Sequence, residues 1–238
     1  MKYSILILVM LFGACTAETP QTAVYSVLFD RTDPLLAQPN NSEITTFIDI
    51  DDTEKNIRFR YSEISAVDFN PVTQLIRRGS QAGLFSNAVV EKQKADGFDK
   101  QLERILTISD SISPASHSSI FQPIVSEISV LQSMPKQYSK TLIVYSDLME
   151  NNNWISYFRS EKRLLLERNP KKLVRLYLEK AKGLSKNSNI KVHVVFIPKD
   201  NLENARFQKL QELYQHVFNQ LGISISFSAN LTKAEHSL

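Results

Sequence analysis

A three-layer α/β domain, with a mostly parallel central sheet and helices on both faces, is the architecture the sequence predicts. Three observations carry that reading. Residues 24–29 (Val-Tyr-Ser-Val-Leu-Phe) and 141–145 (Thr-Leu-Ile-Val-Tyr) are near-continuous apolar runs of strand length, as strands buried on both faces require. Apolar stripes of helical period separate the strand-like runs. The chain then closes on a long stripe, a glycine and an alternating strand.

In chain order, the first run ends at Asp30, and Ile44, Phe47 and Ile48 follow at i, i+3, i+4 spacing, one face of a helix. Residues 57–61 (Ile-Arg-Phe-Arg-Tyr) alternate apolar with basic, a half-exposed strand. A longer helix is predicted around Phe98, Leu102, Ile105 and Leu106, and another along Ile120, Ile124, Ile128 and Leu131. The 141–145 strand ends at Ser146-Asp147. Leu173, Leu176 and Tyr177 mark a further helix, and residues 190–197 a strand that stops at Pro198. Phe207, Leu210, Leu213, Tyr214, Val217, Phe218 and Leu221 form the longest stripe, ended by Gly222 as a left-handed cap. Residues 223–227 alternate and belong at a sheet edge.

With 42% hydrophobic and 22% charged residues in 238, the chain has the composition of one domain able to bury a core. Its net charge of +3 falls to +2 without Lys2, too little for a nucleic-acid-binding face. Residues 1–14 carry one lysine, a short apolar run and small residues, the pattern of a secretory signal. Phe12-Gly13-Ala14-Cys15 resembles the lipobox of bacterial lipoproteins, which implies cleavage before Cys15 and lipidation of its thiol. Cys15 is the one cysteine of the chain, so no internal disulfide can form, and lipidation gives an exported thiol a use. Thr16 in place of an aspartate points to the outer membrane, with the domain facing the periplasm. The expected organisation is signal peptide 1–14, tether 15–22, α/β domain 23–232 and tail 233–238.

In doubly wound sheets ligands bind outside the carboxyl ends of the strands. Asp30-Arg31-Thr32-Asp33-Pro34 and Ser146-Asp147 stand there, and carboxylates with hydroxyls suit Mg²⁺, Mn²⁺ or Ca²⁺. Here the chain resembles the von Willebrand factor A-type (vWA) domain. The resemblance implies a metal-ion-dependent adhesion site in which Asp30 is the opening aspartate, Thr32 the first hydroxyl, Ser118 (or Ser119) the loop hydroxyl and Asp147 the late aspartate. Pro34 stands where a second hydroxyl belongs and supplies no side-chain oxygen. The implied role is binding of an envelope protein without catalysis. The structural alternative makes Asp30 and Thr32 the cap of the first helix, and Asp147 the cap of the helix after Asn151.

A competing resemblance rests on Asp49-Ile50-Asp51-Asp52-Thr53, which is similar to the Asp-x-Asp-x-Thr opening of haloacid-dehalogenase-type phosphatases. It implies Asp49 as nucleophile, Asp51 as general acid and bound Mg²⁺, with Ser146 on phosphate, Asp200 and Glu203 on metal, and Lys172 or Lys182 neutralising charge. The helical spacing of Ile44, Phe47 and Ile48 opposes it, because that chemistry needs a strand before the nucleophile. His117, His193, His216 and His236 have no zinc-like spacing. Residues 159–186 hold ten basic and three acidic side chains, the solvated face of a helix pair or a surface for anionic lipid or an acidic partner. Trp154, Tyr157 and Phe158 cluster beside Asp147, as core or as a partner anchor.

Overall fold

The computed structural model describes residues 20–32, 37–64, 70–80, 88–108 and 118–231. The expected signal peptide, Cys15, Pro34, His117 and His236 lie outside the described residues. Six strands form one sheet in the order β3-β2-β1-β4-β5-β6. They are β1 Thr22–Asp30, β2 Asn56–Ile64, β3 Val72–Arg77, β4 Ser139–Tyr145, β5 Ile190–Val195 and β6 Ser224–Ser228. All neighbours pair in parallel except β2 and β3. The helices are α1 Asn41–Ile48, α2 Ala88–Ile108, α3 Phe121–Ser133, α4 Ser160–Arg168, α5 Pro170–Lys180 and α6 Asn201–Leu221. The three-layer α/β architecture read from the sequence is the one observed. None of the described helices is long and apolar enough to cross a membrane.

The strand patterns follow from position in the sheet. β1 and β4 lie at its centre, where both faces are covered, and every residue from Ala23 to Asp30 and from Lys140 to Tyr145 is buried. β2 lies one place from the edge and alternates: Ile57, Phe59 and Tyr61 are buried while Arg58 and Arg60 are partly exposed. β6 is an edge strand, as its alternation predicts. β3, the other edge, went unread in the sequence. All but one of its six residues are at least partly exposed, so it carries no continuous apolar signal.

Successive side chains on a strand point to opposite faces, and two neighbours on β1 show the layering. Tyr25 meets Phe47 of α1, with ring centroids 6.2 Å apart. Ser26, on the other face, donates to Glu127 of α3 at 2.9 Å. Asn41 of α1 donates to Asp99 of α2, which joins the two helices of the first face. The second face centres on aromatic packing between α3, α5 and α6: the Phe121 ring lies 4.6 Å from Tyr177 and 5.7 Å from Tyr214. Such pairs contribute about 1 kcal/mol each beyond the area they bury. Across this face Arg60 grips Glu127 through Nε at 2.5 Å and Nη2 at 3.1 Å.

The helix pair expected over 159–186 is α4 and α5, broken where the Asn169 side chain accepts the Lys172 N–H and Pro170 begins the next helix. Its buried residues include Leu166, Leu173, Val174 and Tyr177; Arg168, Lys171, Lys172, Arg175, Lys182 and Lys186 face solvent. Gly222 ends α6 at φ 65°, the left-handed cap expected of it, and a Cβ there would stand 2.0 Å from Asn187 Oδ1.

Candidate functional site at the carboxyl edge of the sheet

β1 connects outward through α1 to β2 on one side, and β4 outward through α4 and α5 to β5 on the other. The chain therefore reverses its winding between β1 and β4, which are paired neighbours. That is the topological switch point at which open α/β sheets bind ligands. Phe29 pairs with Tyr145, so Asp30 and Ser146 follow side by side at the carboxyl ends.

The structure ties these turns together. Asp30 is fully buried. Its Oδ1 accepts the Thr32 N–H at 3.0 Å and the Thr32 hydroxyl at 2.6 Å, while Oδ2 accepts the Ser146 hydroxyl at 2.9 Å. Ser146 Oγ in turn accepts the Leu148 N–H at 2.9 Å, and Asp147 Oδ1 accepts the Met149 N–H at 2.8 Å. Leu148 occupies the left-handed region at φ 63° with its side chain wholly buried. Ser118 joins the same loop through a two-way backbone pairing with Asn151, at 3.2 and 2.7 Å. Asp30, Thr32, Ser118 and Asp147 thus all sit in or against the turns of this edge.

Glu150 has the largest structural role here, and the sequence reading passed over it. It is fully buried, and its carboxylate accepts the N–H groups of Ile120 (3.2 Å to each oxygen) and Phe121 (2.5 Å), together with the Asn152 side-chain amide at 2.5 Å. It caps α3 from a loop about thirty residues further along the chain, satisfying amides that the helix leaves without partners. Burial pushes its carboxyl up to about 8, with the Asp30 charge adding to the rise and the donated N–H bonds opposing it. The hydroxyl of Tyr214 is buried without a partner, and burial, with Glu150 second, raises it well above the ordinary tyrosine range.

The helix-capping alternative is corrected by this geometry. Asn40 caps α1, so neither Asp30 nor Thr32 does. Asp147 does not cap α4: its Oδ1 closes a local turn onto Met149, and α4, which begins at Ser160, has no side-chain cap.

A divalent cation fits the carboxyl edge in part. Ser118 Oγ is buried and unpartnered, an oxygen suited to such an ion. Both Asp30 oxygens already accept bonds from the chain's own hydroxyl and amide groups. Among the described residues no three His, Cys, Asp or Glu side chains gather as a metal-holding group.

Of the phosphatase residues only Ser146 lies at this edge, bonded to Asp30; the others lie elsewhere. Asp49 follows α1, not a strand, at φ 57°, and Asp51 and Asp52 are exposed in the turn leading to the amino end of β2. That turn is clasped from β3. The buried Arg77 guanidinium donates to the carbonyls of Ile50 (2.7 Å), Asp52 (2.5 Å) and Lys55 (3.2 Å). Gly79 approaches so closely that a Cβ would stand 2.2 Å from the Glu54 carbonyl oxygen. Asp200 and Glu203 form a capping pair at the start of α6: Asp200 Oδ1 accepts the Glu203 N–H at 2.8 Å, and Glu203 accepts the Lys199 N–H at 2.6 Å. Lys172 and Lys182 are solvent-facing. The enzyme constellation is not assembled.

His193 lies in β5, bonded through Nδ1 to the Ser226 hydroxyl at 2.5 Å, a satisfied strand histidine. The aromatic group beside Asp147 divides: Tyr157 is buried with its hydroxyl 2.9 Å from that of Tyr177, Trp154 is partly buried, and Phe158 is 61% exposed.

No protein-family model matches the chain, and no curated protein does. Among solved structures it is similar to the pilus adhesin SpaC of Lactobacillus rhamnosus GG in an open conformation, at 12% identity and a TM-score of 0.42. That match covers 88% of this chain and 28% of the adhesin. It is also similar to the manganese-loaded TRAP protein of Plasmodium vivax, at 14% identity and a TM-score of 0.33, over 79% of this chain and 62% of that one. The chain therefore spans less than two thirds of either. At these levels neither likeness bears on what the chain binds.

Proposed function

We propose that this chain is a membrane-anchored envelope lipoprotein whose vWA-like domain binds another protein at the carboxyl edge of its sheet, without catalysing a reaction. The observation that supports it best is the linkage of the Asp30 and Ser146-Asp147 turns at the switch point between β1 and β4. The other acidic motif, Asp49 to Asp52, is engaged as a structural turn. Lipidation of Cys15 supplies the anchor, through which the domain faces the periplasm from the outer membrane.

Crosslinking in native membranes followed by capture of the chain tests the binding reading. Partners recovered with the native chain are expected to disappear with Thr32→Val and Asp147→Ala, both partly exposed, so that folding is retained. Recovery of the same partners with both variants would overturn it. The anchor is tested separately: Cys15→Ala is expected to leave the membrane fraction. Cation binding through Asp30, Thr32, Ser118 and Asp147 belongs to the proposal as a separable part. Millimolar Mg²⁺, Mn²⁺ or Ca²⁺ is expected to raise the melting temperature, because a ligand of the native state must stabilise it. An unmoved transition removes the cation and leaves the protein-binding reading standing.

A further inference from the structure

β3 ends the sheet, and its two sides differ. Towards β2 it pairs without a break from Val72 to Arg77. In an antiparallel ladder alternate residues turn their N–H and C=O groups to one neighbour, and the residues between turn theirs away. The outer side of β3 therefore presents a row of backbone groups, and among the described residues no further strand or loop pairs with it. Edges of this kind are ordinarily blunted by an outward charge, a proline or a bulge. β3 contains none of the three. Its one charged residue, Arg77, is 5% exposed and turned onto the carbonyls of the amino-edge turn, and Pro71 stands just outside the strand.

The residues that remain are complementary to themselves. Successive side chains alternate between faces, so Val72, Gln74 and Ile76 share the face opposite to that of Arg77. All three are exposed, Val72 by 45% and Ile76 by 57%. Antiparallel pairing centred on Gln74 sets Val72 against the partner's Ile76 and Ile76 against the partner's Val72. Directly opposite side chains touch in such a ladder, so each apolar residue is covered by another. Gln74 meets the partner's Gln74 without conflict, because a side-chain amide both donates and accepts. No like charges meet anywhere between Val72 and Ile76.

We infer that β3 pairs antiparallel with β3 of a second copy of this chain, centred on Gln74, and joins two six-stranded sheets into one. The contact is two-fold symmetric and occupies the same edge of both copies, so association closes at two. A single short strand pair buries less than the roughly 800 Å² per partner of a stable dimer, so the equilibrium is reversible and depends on concentration. Neither Asp30 nor Asp147 lies on β3, and the inference goes beyond the carboxyl-edge reading without resting on it.

Sedimentation equilibrium of the intact chain, in density-matched detergent, tests it. A monomer–dimer equilibrium at submillimolar concentration is the expected result. Gln74→Lys and Gln74→Glu each set like charges directly opposite one another and are expected to weaken the dimer roughly fivefold or more. An equimolar mixture of the two is expected to recover it, since opposite charges then face each other, a recovery that damage to the fold cannot produce. Ile76→Lys loses an apolar pair at both ends of the contact, and a roughly tenfold or greater weakening is expected. Asp147→Ala is expected to leave the dimer unchanged, so that failure of the carboxyl-edge reading and failure of this one are told apart. A monomer at every concentration would overturn the inference and leave the edge to a strand of a different protein. A dimer untouched by Gln74→Lys and Ile76→Lys, or no recovery in the mixture, would overturn it as well.

Discussion

Two acidic turns stand at opposite edges of the sheet, and they resolve in opposite ways. At the amino edge, Asp49 to Glu54 presents its backbone inward: carbonyls of the turn fill the Arg77 fork, while Asp51 and Asp52 are exposed and the Asp52 carboxylate does no more than accept the Glu54 N–H within the turn. At the carboxyl edge the acidic side chains turn inward, with Asp30 and Glu150 fully buried and Asp147 half-buried. A short acidic motif therefore says little until its edge is known. In parallel sheets, loops at the carboxyl ends hold side chains over the switch point, whereas the amino-end turns mainly close the chain.

The sharpest way to break this contrast is Glu150→Ala. Removing the carboxylate leaves the Ile120 and Phe121 N–H groups buried without partners, and a loss of about 3 kcal/mol is expected. For a chain of this size that lowers the melting temperature by roughly 6–12 °C. A change under about 1 kcal/mol would mean the cap is not structural. Arg77→Ala comes next, at about 2 kcal/mol in denaturant unfolding, since three carbonyls lose one donor group. It is expected to leave partner capture intact, and loss of partners with the fold retained would erase the distinction between the edges.

The pH dependence follows from Glu150. Its folded-state value of about 8 lies above the ordinary 4.5, so between these values the native state binds the proton that the unfolded chain has released. Stability from this group is full below the lower value and is lost as pH rises towards the upper one, by at most about 1.4 kcal/mol per pH unit. The melting temperature is expected to fall from pH 5 to pH 8, and Glu150→Gln to flatten that decline. A rise over the same range would contradict the assignment. Smallest of all, Asp51→Asn is expected to change stability by less than about 0.5 kcal/mol, since the carboxylate is exposed. A larger loss would show the amino-edge turn to depend on its side chains after all.

The legible parts of the sequence were those in which one element speaks for itself. β1 and β4 are buried on both faces and so read as apolar runs, and α6 carries seven buried residues on one stripe. β3 was illegible because an exposed edge strand needs no apolar pattern; it is recognisable only through pairing with β2, from Ile57 with Arg77 to Ser62 with Val72. The candidate site divides along the same line. Asp30 and Asp147 could be picked out because they end strands, a local property. Glu150 could not, because its partners, Ile120 and Phe121, lie thirty and twenty-nine residues away. The Glu127 bond to Ser26 spans 101 residues and was equally hidden.

Leu148 carries a consequence for the timing of binding. A leucine at φ 63° holds a backbone state that costs about 1 kcal/mol or more, and it persists because its side chain is wholly buried and its N–H is held by Ser146. The loop bearing Asp147 therefore cannot swing without drawing a leucine out of the core. On the protein-binding reading proposed above, a partner at the Asp147 turn meets a surface that is already in its final shape there, and little ordering of that turn remains to slow the encounter. Affinity differences among variants of that surface should then show in how long the complex lasts, not in how fast it forms.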